Sequence, residues 1–506
     1  MKAFTEPLLS LAGFEEMTKT AEKSSGLISV TGCIDAQKSQ MIYAFGGHRK
    51  NKLIVTFGEQ KAKELYDEYS FFDKEVVYYP SKDVLFYQSD IRGNLLTAER
   101  IRALKAIREQ ERVTIVTTFD ALMNTMAPIE KMWENVLTLE QGQLLDLKEI
   151  QAALIRMGYE KEYQVQTMGQ FSVRGGILDV FPLTEENPIR IELWGDDIDT
   201  IRYFDCESQK SIENTDRVSI YPAAELVLSD EEKAGGIEKL KAEAKRVSDK
   251  LRKQMKTEEA HRVTVMADEL TEEWGELSMY AGMDAFLSYF FDERVGLLDY
   301  FKPSDSLIFF DELTRCTEQG KLTETEFSES MKQRLAMGYI LPGQMNGLFT
   351  EKEIVAKLEK YSCIALGALD NKANGLHQLG SYGIHCQSVS PYNNSFELLI
   401  KDLKRYKENG YRVILLSGSR TRAKRLSEDI TDQGITCFYT ENYDHELFEG
   451  QIMVCYGKVR RGFEYPILKF AVITESDIFG AQQKKKKRHR TYEGEKIQSF
   501  TDLSVG

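Results

Sequence analysis

No CxxC pair occurs anywhere in this chain of 506 residues. Its seven cysteines stand singly at positions 33, 206, 316, 363, 386, 437 and 455, with no histidine at metal-ligand spacing. That excludes a recognisable zinc site and leaves free thiols of a reducing compartment as the reading. No run of about 18 apolar residues is present, so no membrane span is predicted. The N-terminal MKAFTEPLLSLAGFEEM has acids where a secretory signal needs an apolar run, and a cytoplasmic location is expected. Excess positive charge is also lacking: 66 Lys and Arg stand against 80 Asp and Glu, a net charge of −14. This argues against a chain that wraps nucleic acid over its whole surface, while leaving room for a local basic patch. What is there, 42% hydrophobic and 29% charged residues, describes a folded chain, and the length predicts about three or four domains.

The stretch from Gly169 to Pro222 differs from its surroundings. Phe171 and Val173, then Ile177, Leu178, Val180 and Phe181, then Ile189, Ile191 and Leu193 after Pro188 alternate with polar residues as half-buried strands do. The step Arg174-Gly175-Gly176 permits a positive φ or a bulge, and either would turn Arg174 outward. On both sides the pattern is of helices and parallel-type strands. The stretch therefore reads as an antiparallel module inserted into an α/β domain.

Before it, the strand Leu27-Ile28-Ser29-Val30 runs into a predicted loop, Thr31 to Ser39, with helix expected from Gln40 to Phe45. Set against the phosphate-loop pattern Gly-x-x-x-x-Gly-Lys-Ser/Thr, the chain keeps Gly32, Lys38 and Ser39 but has Gln37 at the second glycine. A side chain there fills the cradle in which backbone amides close around phosphate. Chance similarity on an ordinary strand-to-helix turn is the plain alternative. Strands are also expected at Lys52–Phe57, Glu75–Tyr79 and Thr114–Thr118. Between the last two, the helix Thr97–Arg108 carries Arg100, Arg102, Lys105 and Arg108, read as a solvated face. After the module, one helix is predicted from Asp230 to Ala260 on the stripe Ile237, Leu240, Ala244, Val247, Leu251 and Met255. Then Leu307-Ile308-Phe309-Phe310 ends in Asp311-Glu312, the form of a strand whose acid holds Mg²⁺ and whose Glu positions water. A helix start after a buried strand has the same form.

Further on, Phe396 to Gly480 reads as a small α/β unit with strands at Arg412–Leu416, Thr436–Tyr439, Ile452–Tyr456 and Phe470–Thr474, and a basic helix Thr421–Ile430. Ser417-Gly418-Ser419 reads as a tight turn, with anion binding the alternative. Lys484 to Arg490 (KKKKRHR) is a charge run read as a linker, or as a tether touching nucleic acid.

Several strings carry a resemblance. GQFSVRGGILDVFP with PIRIELWGDDIDTIRYFD, and also YYPSKDVLFYQSDIRGNLLTAERIRAL, VTTFDALM and LIFFDELTR, resemble the N-terminal region of the bacterial transcription-repair coupling factor (Mfd) family. The module is more loosely similar to UvrB of nucleotide excision repair. The resemblance implies an α/β multidomain chain: a degenerate RecA/helicase-like P-loop domain split by an inserted antiparallel β-rich (α+β) domain, followed by a second small α/β domain. The implied boundaries are a helicase-like part at 1–125, a UvrA-binding insertion at 126–225, a second helicase-like part at 226–350 and the small domain at 351–480. Residues 481–506 would be a basic linker and the start of a polymerase-interacting domain. Where UvrB has a working phosphate loop this chain has Gln37, and after Asp311-Glu312 it continues Leu-Thr-Arg where UvrB continues Ser-His.

The implied function is recruitment of UvrA to stalled RNA polymerase, without catalysis or cofactor in this chain. ATP, Mg²⁺, polymerase and double-stranded DNA would belong to other parts of a longer protein of which this is expected to be the N-terminal piece. Matching UvrB residue by residue places Arg174 on an arginine that contacts UvrA and Lys161 on a second basic contact; the alternative for Arg174 is pairing with an acid of its own domain, such as Asp179 or Asp196. At a third contact, arginine in UvrB, stands Ser172. Residual nucleotide hydrolysis at Lys38, Ser39, Asp311 and Glu312, or DNA binding through the Lys-rich run, are the alternatives.

Overall fold

A computed structural model describes residues 1–46, 49–82, 94–276, 283–370 and 375–480. The basic run at 484–490, with the rest of 481–506, lies outside the described residues, as does 83–93 within the YYPSK string. The first strands in chain order are β1 (Gly26–Thr31), β2 (Asn51–Thr56), β3 (Val76–Tyr79) and β4 (Val113–Thr118). Next come β5 (Leu137–Glu140), β6 (Glu160–Lys161), β7 (Gln170–Arg174), β8 (Ile177–Val180), β9 (Ile189–Trp194), β10 (Asp197–Phe204), β11 (Ser211–Thr215) and β12 (Arg217–Ile220). A helical stretch leads to β13 (Ser306–Asp311), β14 (Ser362–Leu366) and β15 (Gln378–Gly383). The C-terminal part holds β16 (Gln387–Ser388), β17 (Arg412–Ser417), β18 (Phe438–Tyr439), β19 (Ile452–Tyr456), β20 (Phe463–Tyr465) and β21 (Phe470–Thr474).

The chain is an α/β protein of several sheets. The largest is a seven-stranded sheet in the order β15-β1-β14-β13-β2-β4-β3, with every pairing parallel. Its inner strands read as nearly continuous apolar runs because both faces are covered. Ile28, Val30, Ile54, Phe309 and Ile364 enter one core, while their neighbours Leu27, Leu53, Val55, Phe310 and Cys363 enter the core on the opposite face, as the two-residue period of a strand requires. Strands from both sides of the module build this sheet, since β13 pairs with β2. No helix among the described residues is long and apolar enough to cross a membrane.

Four findings differ from the expectations. Residue 350 is not a sheet boundary: β14 and β15 both pair with β1, so the chain stays in the first sheet to Gly383. The C-terminal sheet, in the order β16-β20-β21-β17-β19-β18, also shares a core with the first, for Ile414, Met453 and Val472 pack in the same cluster as Ile28 and Phe309. The single helix expected over 230–260 is two. Asp230–Lys253, started by a Ser229/Glu232 capping box, breaks at Met255, whose φ is 63°, and Thr257–Glu276 folds back. The fold-back lets Leu240, Ala244 and Leu251 bury against Ala260, Val263 and Ala267, and the Ser248 hydroxyl donates across to the Ala260 carbonyl at 3.1 Å. Finally, Arg100 is not on a solvated face. It is fully buried, with its guanidinium 4.0 Å from the Tyr79 ring centroid and paired with Glu225 at the end of the module.

The module leaves and rejoins the host at one place. β5 and β12 pair antiparallel, Leu137 opposite Ile220, and the other six strands form a sheet in the order β11-β10-β9-β8-β7-β6. One face of that sheet, with Phe171, Leu178, Val180, Ile189, Ile191 and Ile201, packs on Ile150 and Leu154 of the helix Leu147–Arg156. The alternation puts Ser172, Arg174, Asp179, Arg190, Glu192 and Arg202 on the other face.

Candidate functional site

Two places gather the residues singled out by sequence. The first is the polar face of the module. β7 and β8 form a hairpin in which Arg174 sits opposite Ile177, so the turn has only Gly175 and Gly176. Gly175 takes φ +61°, a conformation that L side chains resist. Arg174 is thereby fixed at the last position of a strand, with its side chain 37% exposed and its guanidinium 6.0 Å from the Tyr163 ring centroid.

Arg174 Nη2 reaches Asp179 Oδ2 at 3.1 Å. Asp179 is buried, and Arg190 grips it with two bonds, Nε to Oδ1 at 2.7 Å and Nη2 to Oδ2 at 2.8 Å. One carboxylate thus faces two guanidiniums, a local excess of positive charge around Asp179, while the exposed acids Glu160 and Asp197 lie on the same face by their pairing with Gln170 and Trp194. Nearby, Arg202 and Glu192 neutralise each other. The structure does not bring Lys161 to this face: on β6 it pairs with Phe171, and its exposed ammonium donates at 2.7 Å to Oε1 of Gln151 on the helix that covers the opposite face. Ser172 differs from the other two: it is 1% exposed, and its hydroxyl donates inward to the Tyr163 carbonyl at 2.9 Å. The Arg190 grip on Asp179 was readable from the β8/β9 alternation once the register was known, since Asp179 is opposite Arg190.

The second place is at the C-terminal ends of β1, β2 and β13. Gly32 has φ +76°, and a Cβ there would stand 2.1 Å from the Ile384 carbonyl oxygen, so only glycine fits. The loop expected to continue to Ser39 ends early. Helix runs from Asp35 to Phe45, and Asp35, Ala36 and Gln37 are wound into its first turn instead of lying open around an anion. Without a glycine at 37 these residues have ordinary helix propensities and no need of unusual dihedrals. The helix is buried on nearly all sides. Gln37 is 0% exposed; its amide lies beside the Cys33 thiol, but neither of its polar atoms is satisfied by a hydrogen bond among the described residues. The Ser39 hydroxyl is likewise buried and unpaired among them.

Lys38 meets three acids. Its Nζ lies 2.5 Å from Asp311 Oδ1, 2.9 Å from Glu312 Oε1 and 3.2 Å from Asp35 Oδ1. An ammonium has three donors, and three carboxylates take them. Asp311 accepts further from the Thr56 hydroxyl at 3.0 Å, and Lys61 closes on Asp35 at 2.8 Å. Burial works against the Lys38 charge, but Asp311 and then Glu312 outweigh it and hold the ammonium pKa well above that of ordinary lysine. Glu312, at φ 60°, is the residue before the helix Leu313–Ala336, and its side chain also accepts from the Ala368 amide at 3.2 Å. Three acids against two lysines leave the site net negative. A phosphate entering it would have to break a buried ion network and would meet a like charge.

Known proteins align with these features. Residues 137–226 match the UvrB interaction domain family, the segment that forms the module from β5 to just past Glu225. Transcription-repair-coupling factors are similar to nearly the whole chain. That of Bacillus subtilis (strain 168) is 27% identical over 456 residues, covering 90% of this chain and 38% of the relative. That of Staphylococcus haemolyticus (strain JCSC1435) is 27% identical over 491 residues, covering 95% and 40%, and that of Staphylococcus aureus (strain MRSA252) is 26% identical over 508 residues, covering 97% and 42%. The chain therefore spans about 40% of the length of these relatives. Along almost all of its own length the chain is similar to bacterial transcription-repair-coupling factors, and within that length it matches the UvrB interaction domain family.

Proposed function

We propose that this chain serves transcription-coupled DNA repair as a recruiting part: its module binds UvrA and so brings nucleotide excision repair to a stalled polymerase. The observation that carries the reading is the UvrB interaction domain match at 137–226, on a module whose outward face holds Arg174 at a rigid hairpin, sharing Asp179 with Arg190. A planar guanidinium in that position suits a carboxylate of a partner, which it takes with two parallel hydrogen bonds. Lys161 adds a less directional charge at the edge of the same sheet. Ser172 contributes through packing, since its hydroxyl is already used inside the module.

In this reading the seven-stranded sheet is a degenerate helicase-like P-loop domain, split by the module, that keeps its shape and no longer handles nucleotide. The wound-in loop at Asp35–Gln37 and the saturation of Lys38 by three carboxylates support it. Catalysis with ATP and Mg²⁺, and contact with RNA polymerase and double-stranded DNA, are assigned to parts of a longer protein outside this chain. The test is calorimetry of the chain and of Arg174→Ala against purified UvrA. The variant is expected to lose about 2–5 kcal/mol of binding with little change in thermal stability, because Arg190 keeps Asp179 paired. Equal affinities for the two proteins would remove Arg174 from the interface, and no binding by either would remove the recruiting role.

A further inference from the structure

Lys38 lies where the parallel strands end; a half-buried lysine, Lys52, lies where they begin. There, between the starts of β2 and β4 and the helices Lys2–Leu9 and Phe14–Lys23, is a cavity of about 580 Å³. Its cations are Arg49, Lys50, Lys52, Lys74 and Arg112. The acids lining it are Asp73 and Glu75, so the cavity has a net charge of +3 in a chain of −14.

Lys52 is built into this place. Its side chain is 12% exposed, and its stem passes residue 46 so closely that a Cβ on Gly46 would stand 2.4 Å from Lys52 Cδ. Nζ donates to the Tyr69 hydroxyl at 2.9 Å and sits 5.8 and 5.5 Å from the ring centroids of Tyr43 and Tyr69. The nearest acid does not complete its hydrogen bonding. Asp73 Oδ2 is 3.7 Å away, and Asp73 already accepts from the Thr114 hydroxyl at 2.8 Å and the Glu75 amide at 3.1 Å. Burial pulls the Lys52 ammonium pKa below that of ordinary lysine in spite of Asp73, so an added negative charge would relieve it. The side chains of Lys50 and Arg112 have no ion-pair or hydrogen-bond partner among the described residues.

We propose that this cavity binds a small phosphate-bearing anion, its oxygens taken by Lys52 within and by Lys50 and Arg112 at the mouth. More than one negative charge on the ligand matches the local excess, and the volume suits a small molecule. Phe14 and Tyr43 on the wall suit an apolar or flat remainder of the ligand. The probe is inorganic pyrophosphate, titrated calorimetrically into the full chain at low salt. One-to-one binding is expected, weakened at least about tenfold by Lys52→Met and by the exposed Arg112→Ser, as for loss of a charge-assisted hydrogen bond. Asp73→Asn is expected to tighten it, a change that a merely structural role for the cluster does not produce. Should Lys52→Met fail to fold, the other two variants decide. Absence of pyrophosphate binding, or affinities unchanged in both Arg112→Ser and Asp73→Asn, overturns the proposal. So does displacement of bound pyrophosphate by a short single-stranded oligonucleotide, which would make the cavity part of a nucleic-acid surface.

Discussion

Arg100 and Glu225 form a buried, two-bond ion pair across 125 residues of chain, Nε to Oε1 at 2.6 Å and Nη2 to Oε2 at 3.1 Å. Arg100 donates also to the Pro80 carbonyl at 2.6 Å and to the Tyr79 hydroxyl, and Lys82 lies 3.2 Å from the same carboxylate. The pair ties a helix of the large sheet to the end of the module. Removing Arg100 alone, as Arg100→Met, is expected to cost about 3–5 kcal/mol, because it leaves a buried carboxylate short of its main partner. Arg100→Met combined with Glu225→Gln is expected to be less damaging than Arg100→Met alone. Urea denaturation of the two variants checks this.

Acid should loosen the same joint. Burial alone would raise the Glu225 pKa, but Arg100 and then Lys82 overcome it and hold the carboxyl below its ordinary value of 4.5. A depressed folded-state pKa means stability that is present above about pH 4.5 and is lost as pH falls further. Melting temperatures followed down from pH 6 should fall in that acid range, and the fall should be smaller in Glu225→Gln.

Glu68 predicts the opposite trend near neutrality. It is 8% exposed, and burial, opposed by Lys61 and Arg460, pushes its pKa up to about 7. A raised carboxyl pKa gives stability that is complete below about pH 4.5 and is lost as pH rises through about 7. Glu68→Gln should therefore match wild type at pH 4 and exceed it at pH 8 by up to about 3 kcal/mol. Chemical denaturation at the two pH values is the measurement, and an equal difference at both would rule out titration of Glu68 as the cause.

At the Lys38 site the expected outcome with ATP and Mg²⁺ is no turnover and no dissociation constant below about 100 μM. Gln37→Gly is expected to restore weak binding at most, because Lys38 stays saturated by Asp35, Asp311 and Glu312. Tight Mg²⁺-dependent binding that is insensitive to Arg112→Ser would locate a working site at Lys38.

Within the module, Lys161→Ala should weaken UvrA binding less than Arg174→Ala does. Its single ammonium bonds a half-buried glutamine and is not held by a hairpin. Competition binding on the two variants gives the order.

Much of the module was legible before the structure, because strand alternation reports a half-buried sheet directly: β7, β8 and β9 begin within about a residue of where Phe171, Ile177 and Ile189 predict. Two short motifs singled out Lys38 and Asp311 separately, and the ion pair between them is shown by the structure. What was not legible depended on distant partners or on competing local choices. Arg100 looks solvated on its own helix, and only Glu225, far along the chain, explains its burial. Nothing marks the break at Met255, which lacks a nearby glycine or proline and arises because two apolar stripes bury best against each other. The early helix start at Asp35 was hidden by the motif itself, whose pattern implies a loop that Gln37 no longer supports. Ser172 reads as surface by family position, yet its hydroxyl is turned to Tyr163 by a loop that no periodicity describes.

The pairing of β5 with β12 sets how mechanical load would travel through the molecule. A partner pulling on the module acts through two strands that lie side by side, Leu137 against Ile220, and force entering there does not separate distant points of the seven-stranded sheet. The module is in effect a lever on a pinned joint, with Arg100, Glu225 and the Tyr221–Glu109 hydrogen bond of 2.6 Å as the pin. Torque passes into the host while the parallel strands keep their register, and an overload would open the short β5/β12 clasp before it reached the core.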